Sequence, residues 1–329
     1  MPDKHMGNLI VSLPAIKSVE CFLENKVKGI IVDESYKEIL LAFFDNTKII
    51  PYTLRKVKSK IWLIKDFLKF IKEIRSLNPT LSIDYEGRTV GAFISFLSGA
   101  KYRVGFSNAD KSYYYNIKIS PNQYLHKYEY YISIPLKLGI PIINNLKPTI
   151  KNEWEVSLKK FFSPSKEAIK HDKIVCIHPG AGKIYKKWLP QKFALVADYL
   201  VEKGYIVVFI GSKKDKDDIL KVRSYMKHEA LDLSTKISIG ELMALFKTIK
   251  FYIGNDSGPM HLASLFGIPI ITLFGPSNEK RWKPIGEKVI VLRGNERCDK
   301  CKGKNCEKDF QCITSISPYD VIEKIREFL

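Results

Sequence analysis

The 329 residues are 45% hydrophobic with no repeat or low-complexity tract, which excludes a collagen-like or disordered chain and gives enough apolar material for two domains. Lys and Arg number 54 against 35 Asp and Glu, a formal charge of +19. That balance suits an anionic partner (a phosphorylated substrate, nucleic acid or an acidic membrane surface), or simply a solvated lysine surface. No run of about 18 apolar residues is present, and the opening MPDKHMGNLIVSLPAI lacks the length and cleavage site of a secretory signal, so a cytoplasmic protein is expected, with peripheral contact at an anionic inner leaflet open to it.

In chain order, Gly7 opens a helix with an apolar face, with no strand ahead of it. Residues 29–33 (GIIVD) read as a strand, 36–44 as a short helix, and 61–77 as an amphipathic helix with Ile61, Ile64, Phe67, Leu68, Ile71 and Ile74 at helical spacing. A strand at 81–85, a helix at 89–98, a strand at 102–105 and a helix at 123–138 stopped by Gly139 complete the first half. Prolines, asparagines and polar residues over 140–170 mark the boundary, placed near 165.

The second half alternates more cleanly. Strands are expected at 173–178, 206–210, 230–233, 251–253, 270–274 and 289–292. Helices are expected at 190–203, 219–227, 238–248 with Ser238 and Glu241 as a capping box, 258–266, and from Pro318 to the end. Such alternation implies right-handed crossovers and parallel sheets: two doubly wound α/β domains, spanning 1–165 and 166–316, with a final helix at 317–329. Ligands of such sheets bind beyond the carboxyl ends of the strands, so the loops after strands are the informative ones.

Two of those loops carry chemistry. In Gly254-Asn255-Asp256-Ser257-Gly258-Pro259-Met260-His261, glycines let the backbone turn sharply, and the amides after Ser257 begin a helix whose positive end faces any anion above it. The plain alternative is Asp256 or Ser257 as an ordinary N-cap, which leaves His261 in the first turn unexplained. In His178-Pro179-Gly180-Ala181-Gly182-Lys183-Ile184-Tyr185-Lys186-Lys187-Trp188, small residues and lysines suit a phosphate. This is not a Walker A loop, because Ile177 and Ile184 stand where Gly and Ser/Thr are required.

With these segments in hand, the chain resembles the heptosyltransferase family of lipopolysaccharide core synthesis, glycosyltransferase family 9. The resemblance is densest over 254–286, continues through 177–200 and the opening MGNLIVSLPAIKSV, and touches 84–88 and 98–106. It implies a GT-B fold of two Rossmann-like domains facing an interdomain cleft, the first for the acceptor and the second for the donor. It also implies inverting transfer of a sugar, usually heptose from ADP-heptose, to a lipid-linked or saccharide acceptor, with no metal required. By the resemblance, Asp256, Ser257, Gly258 and His261 bind the donor's diphosphate and sugar, Lys186 contacts its phosphates, and Glu241 lies near the nucleoside. Lys183 joins this set on charge and position in its loop. A departing diphosphate then relies on lysines and backbone amides for stabilisation.

The chain departs from the family where Asn8 stands in place of the Asp proposed as general base. An amide accepts no proton at neutral pH, so Asp3 or His5 takes that role or the enzyme is weakened. A further departure is the missing first strand of the N-terminal sheet. Cys298, Cys301, Cys306 and Cys312 have roughly metal-like spacing, which leaves two structural readings open, a zinc knuckle or an unmetallated loop. Other functions weighed are transfer of a different nucleotide sugar in surface polysaccharide synthesis, a donor-binding homologue without turnover, and nucleic-acid binding. The last lacks a helix-turn-helix, an aromatic–basic RNA motif or zinc-finger histidines.

Overall fold

The computed structural model describes residues 5–24, 26–52, 60–122, 126–162, 173–296 and 301–328. The chain divides into two compact units, Met1–Lys147 and Pro148–Leu329.

The first unit opens with α1 (Met6–Phe22), whose residues from Leu9 to Ile16 are all buried. A helix apolar on every side is a core helix, and α5 (below) packs along it. Pro14 within it interrupts the helix donors, and Ser18 Oγ takes up the Pro14 carbonyl at 2.7 Å. There follow β1 (Ile30–Asp33), α2 (Lys37–Leu41), β2 (Ile49–Tyr52), α3 (Lys60–Ser76), β3 (Leu81–Ile83), α4 (Thr89–Leu97), β4 (Tyr102–Phe106), β5 (Ile117–Ile119) and α5 (Lys127–Lys137). Among the described residues the strands form two separate parallel sheets, β1-β2 and β3-β4-β5. A slot of about 520 Å³ lies against both, lined by Val19 of α1, Leu23 just beyond it, Ile30 and Ile31 of β1, Leu81 and Ser82 of β3, and Ile94 of α4. Because Ile30 N–H donates to Lys48 and Tyr102 N–H to Thr80, strand alternation turns the backbone of Ile31 away from β2 and that of Leu81 away from β4.

The second unit runs α6 (Asn152–Lys159), β6 (Ile174–His178), α7 (Pro190–Glu202), β7 (Ile206–Phe209), α8 (Lys216–Tyr225), β8 (Leu231–Asp232), α9 (Ile239–Phe246), β9 (Phe251–Asn255), α10 (Gly258–Ser264), β10 (Ile270–Phe274), α11 (Glu279–Trp282), β11 (Val289–Arg293), α12 (Gln311–Thr314) and α13 (Pro318–Arg326). Among the described residues its six parallel strands lie in the order β11-β10-β9-β6-β7-β8. Every residue of β6, β9 and β10 is buried, as expected of strands covered on both faces by helices. The capping box expected at Ser238 and Glu241 starts α9, and Gly204, at φ +79°, closes α7.

Two boundaries differ from the sequence reading. The division falls at Lys147/Pro148, before α6, because the Trp154 indole covers Gly240 of α9: a Cβ on that glycine would lie 2.4 Å from the ring. Residues 317–329 are not a separate piece either, since Val321 and Ile325 of α13 are fully buried in the same core as Phe193 and Leu200 of α7.

Candidate functional site

In the second unit, the carboxyl ends of β6 and β9 lie side by side, with His178 in register with Gly254. Gly254 is obligatory there, since a Cβ would stand 2.9 Å from the His178 carbonyl and 2.5 Å from the Tyr252 hydroxyl. Asn255, fully buried, ties the two loops together: its Oδ1 accepts from Trp188 N–H at 3.1 Å and its Nδ2 donates to the Pro179 carbonyl at 2.7 Å. Sequence reasoning placed Asn255 in a loop; it ends a strand and fixes the second loop against the first.

That tie brings Lys186 to Asp256. The Lys186 Nζ donates to Asp256 Oδ2 at 2.6 Å, with the lysine 27% and the aspartate 6% exposed. Lys187 turns instead to Asp218 of α8 at 2.6 Å, and Lys183 stays exposed, in no ion pair among the described residues. Ser257 occupies the N-cap position of α10, yet its side chain makes no capping hydrogen bond. The Ser257 hydroxyl lies 3.0 Å from the Asn255 carbonyl and 3.0 Å from His178 Nδ1. The plain capping alternative therefore does not describe this turn. Pro259 has no N–H to offer, and the Ser257 side chain makes no capping bond to the first turn, which begins two residues after the carboxylate that Lys186 holds. His261 is buried at the base of that turn.

Beneath the turn lies a polar chain not foreseen as functional from sequence. Asp215 Oδ2 stands 3.7 Å from His178 Nε2 and accepts from both the amide and the hydroxyl of Ser212 at 2.8 Å. Burial works to raise the Asp215 carboxyl, but the His178 imidazole beside it and the Ser212 hydrogen bonds outweigh it and hold it well below the usual carboxylate range. With the Ser257 proton given to Asn255, the serine oxygen is left to accept from the N–H at His178 Nδ1. Gly180 makes the approach possible, as a Cβ there would fall 2.1 Å from Asp215 Oδ1. Its glycine was the only sequence signal of this arrangement.

Glu241 is committed to its helix: Oε2 accepts from Ser238 N–H at 2.6 Å, a local duty the sequence had also suggested. Of the groups considered for the general base, Asp3 lies outside the described residues. His5 is the exposed N-cap residue of α1, Asn8 sits in its first turn, and that turn holds no acidic residue. Cys298 also lies outside the described residues. Among the described ones no three His, Cys, Asp or Glu side chains converge as a metal site, and Cys301 and Cys306 instead accept backbone amides of Gly303 and Phe310.

The sequence profile described as glycosyltransferase family 9 (heptosyltransferase) matches residues 67–311. Lipopolysaccharide heptosyltransferase 3 of Escherichia coli is 23% identical over 98% of this chain and 96% of its own. Lipooligosaccharide heptosyltransferase 2 of Haemophilus influenzae is 26% identical over 72% of this chain and 73% of its own. Among solved structures, the E. coli ADP-heptose lipopolysaccharide heptosyltransferase II superposes with a TM-score of 0.81 at 18% identity, covering 99% of this chain and 96% of that one.

Proposed function

Because the chain belongs to glycosyltransferase family 9, the heptosyltransferase family, and has its two-unit GT-B fold, we propose that it transfers heptose from ADP-heptose, with inversion, to a lipopolysaccharide-core or related glycan acceptor. The observation that carries this reading is the helix start at Ser257, at the carboxyl end of β9, with Lys186 brought to it by the Asp256 ion pair. As the glycosidic bond breaks, negative charge grows on the leaving diphosphate. Backbone amides and a lysine held in place by the fold meet that charge without first reorganising.

In this reading the diphosphate displaces Asp256 from Lys186 or shares the lysine with it, and Lys183 supplies a second, mobile cation. Asn255 and the His178–Ser257 contact hold the turn in shape for that encounter. The transfer is proposed to draw its charge stabilisation from these groups without a metal, and the cysteine segment to be structural. The acceptor base is assigned to His5 or Asp3, since Asn8 accepts no proton. The enzyme is placed in the cytoplasm, in peripheral contact with the inner membrane where a lipid-linked acceptor is presented. Among the described residues no helix is long and apolar enough to cross a membrane.

A thermal-shift series with ADP-heptose, ADP-glucose, UDP-sugars and free ADP tests the donor. Stabilisation by ADP-heptose and ADP, and none by UDP-sugars, is the expected result. A response to UDP-sugars alone turns the reading to another nucleotide sugar. Donor binding without product, with turnover appearing in Asn8→Asp, turns it to the weakened homologue that Asn8 suggests.

A further inference from the structure

The first unit carries an exposed apolar surface on α3, α4 and the segment around Tyr113. Ile64 and Leu68 of α3 are 59% and 61% exposed, Phe93 and Phe96 of α4 are 38% and 48%, and Tyr113 is 64%. These side chains adjoin one another. Phe67 of α3 stacks on Phe93 at 6.1 Å, and Tyr114 meets Phe93, Phe96 and Tyr113 at 6.1, 5.0 and 4.6 Å.

Helical geometry joins the α3 residues to the same surface. The core side of α3 holds Phe67, Ile71 and Ile74. At 100° per residue, Ile64, Leu68 and Arg75 fall within about 40° of each other on the flank beside it. Arg75 Nε donates to the Leu97 carbonyl at 2.8 Å, so that flank faces α4. Next round the helix come Lys72, Lys65 and Lys69, all exposed. The acidic residues of α3, Asp66 and Glu73, lie on the far side, and Glu73 is paired with Lys48 at 2.7 Å. At the other end of the surface, Arg103 lies over Phe96 at 5.8 Å and Lys111 over Tyr113 at 5.8 Å.

Exposed aliphatic and aromatic side chains bordered by lysines, with acids turned away, are the features of a helix that lies in a membrane interface. Its sign matches the anionic headgroups of a bilayer, and so does the net charge of +19. We propose that this α3–α4 face docks the enzyme on an anionic phospholipid surface: Ile64, Leu68, Phe93 and Phe96 enter the headgroup–acyl boundary, and Lys65, Lys69 and Lys72 meet the phosphates. The inference deepens the proposed function, since it names the surface through which a lipid-linked acceptor is met.

Sedimentation of the full chain with phosphatidylethanolamine vesicles, with and without phosphatidylglycerol, tests it. Binding is expected only with phosphatidylglycerol, and it should weaken as salt is raised. The pairs Leu68→Ser with Phe96→Ser, and Lys65→Glu with Lys69→Glu, should each lower binding about tenfold or more, and the second pair should flatten the salt dependence. Melting temperature and stabilisation by ADP are read on the same samples and should be unchanged, which separates failure of the docking surface from failure of the donor site. Equal binding to neutral vesicles, or variants that bind like the parent, overturns the proposal. So does a change in self-association of the apolar pair by analytical ultracentrifugation, which would make the face a contact between two copies.

Discussion

Lys186 is proposed to meet the donor diphosphate, and its ion pair with Asp256 changes what its removal should do. Read from sequence it is an exposed loop lysine of little worth to folding; in the structure it neutralises a carboxylate that is only 6% exposed. Lys186→Gln is therefore expected to lower kcat/KM for the donor by about 10²-fold and also to cost about 1–3 kcal/mol of stability, because Asp256 is left buried without its cation. Adding Asp256→Asn should restore most of the stability and none of the activity, by denaturant melts and steady-state kinetics on the same proteins. Asn8→Asp in α1 should act in the opposite direction, raising turnover by about 10²-fold with little change in donor affinity if a base is what the first turn lacks. Asp215 gives a pH signature. Its carboxyl is depressed in the folded state, so its contribution is full above the unfolded value of about 4 and is lost as pH falls toward the folded one. Asp215→Asn should thus be less stable than the parent at pH 7, and the gap should narrow only below about pH 4. The lysine, aspartate and serine were legible because each follows a strand beside glycines. His178 and Asp215 were not, because their meeting joins residues from two strand exits that nothing in the periodicity of either segment marks as neighbours.

At the level of elements, long amphipathic or wholly apolar segments were readable and short ones were not. β2 (IIPY) holds a proline and β5 (IKI) spans three residues with a lysine, so neither carries a strand's alternation far enough to register. α6 was hidden in a region read as linker. Its buried face is only Trp154 and Leu158, one turn apart, and what makes it a helix of the second unit is a partner, α9, far along the chain. The slot of about 520 Å³ between β1 and β3 belongs to this scale too, since close-packed cores leave few voids larger than a water. Extra volume is normally unwelcome in a core, but here it has space to enter. Val19→Leu, on the α1 wall of the slot, is expected to stabilise the protein by about 0.5–1 kcal/mol. Val208→Leu, at a fully buried position of β7, should instead destabilise it by about 1–3 kcal/mol. Chemical denaturation of the two variants side by side checks the contrast, and a loss of stability in Val19→Leu would show that the slot is closed in solution.

For the whole molecule, the alternation of strand and helix announced two α/β units, and the resemblance named the fold, but neither could place the division at Lys147/Pro148. That position depends on which core claims α6, a question of packing between segments far apart in sequence. The division has a thermodynamic consequence. Lys186, Asp256, Ser257 and His261 all lie in the second unit, whose six-stranded sheet has its own core. A ligand that binds those residues in the folded state alone stabilises whatever cooperative block contains them, by about 2.7 kcal/mol at a hundred times its dissociation constant. If that block is the second unit, its unfolding enthalpy should be near 0.7 kcal/mol per residue over roughly 180 residues, or about 130 kcal/mol, against about 230 kcal/mol for the whole chain. Scanning calorimetry with and without ADP is therefore expected to show one transition of about 130 kcal/mol moving up by several degrees and the remaining heat staying in place. A single ADP-sensitive transition carrying the full enthalpy would mean that the two units melt as one block. A shift confined to the other transition would remove the donor from the α10 turn altogether.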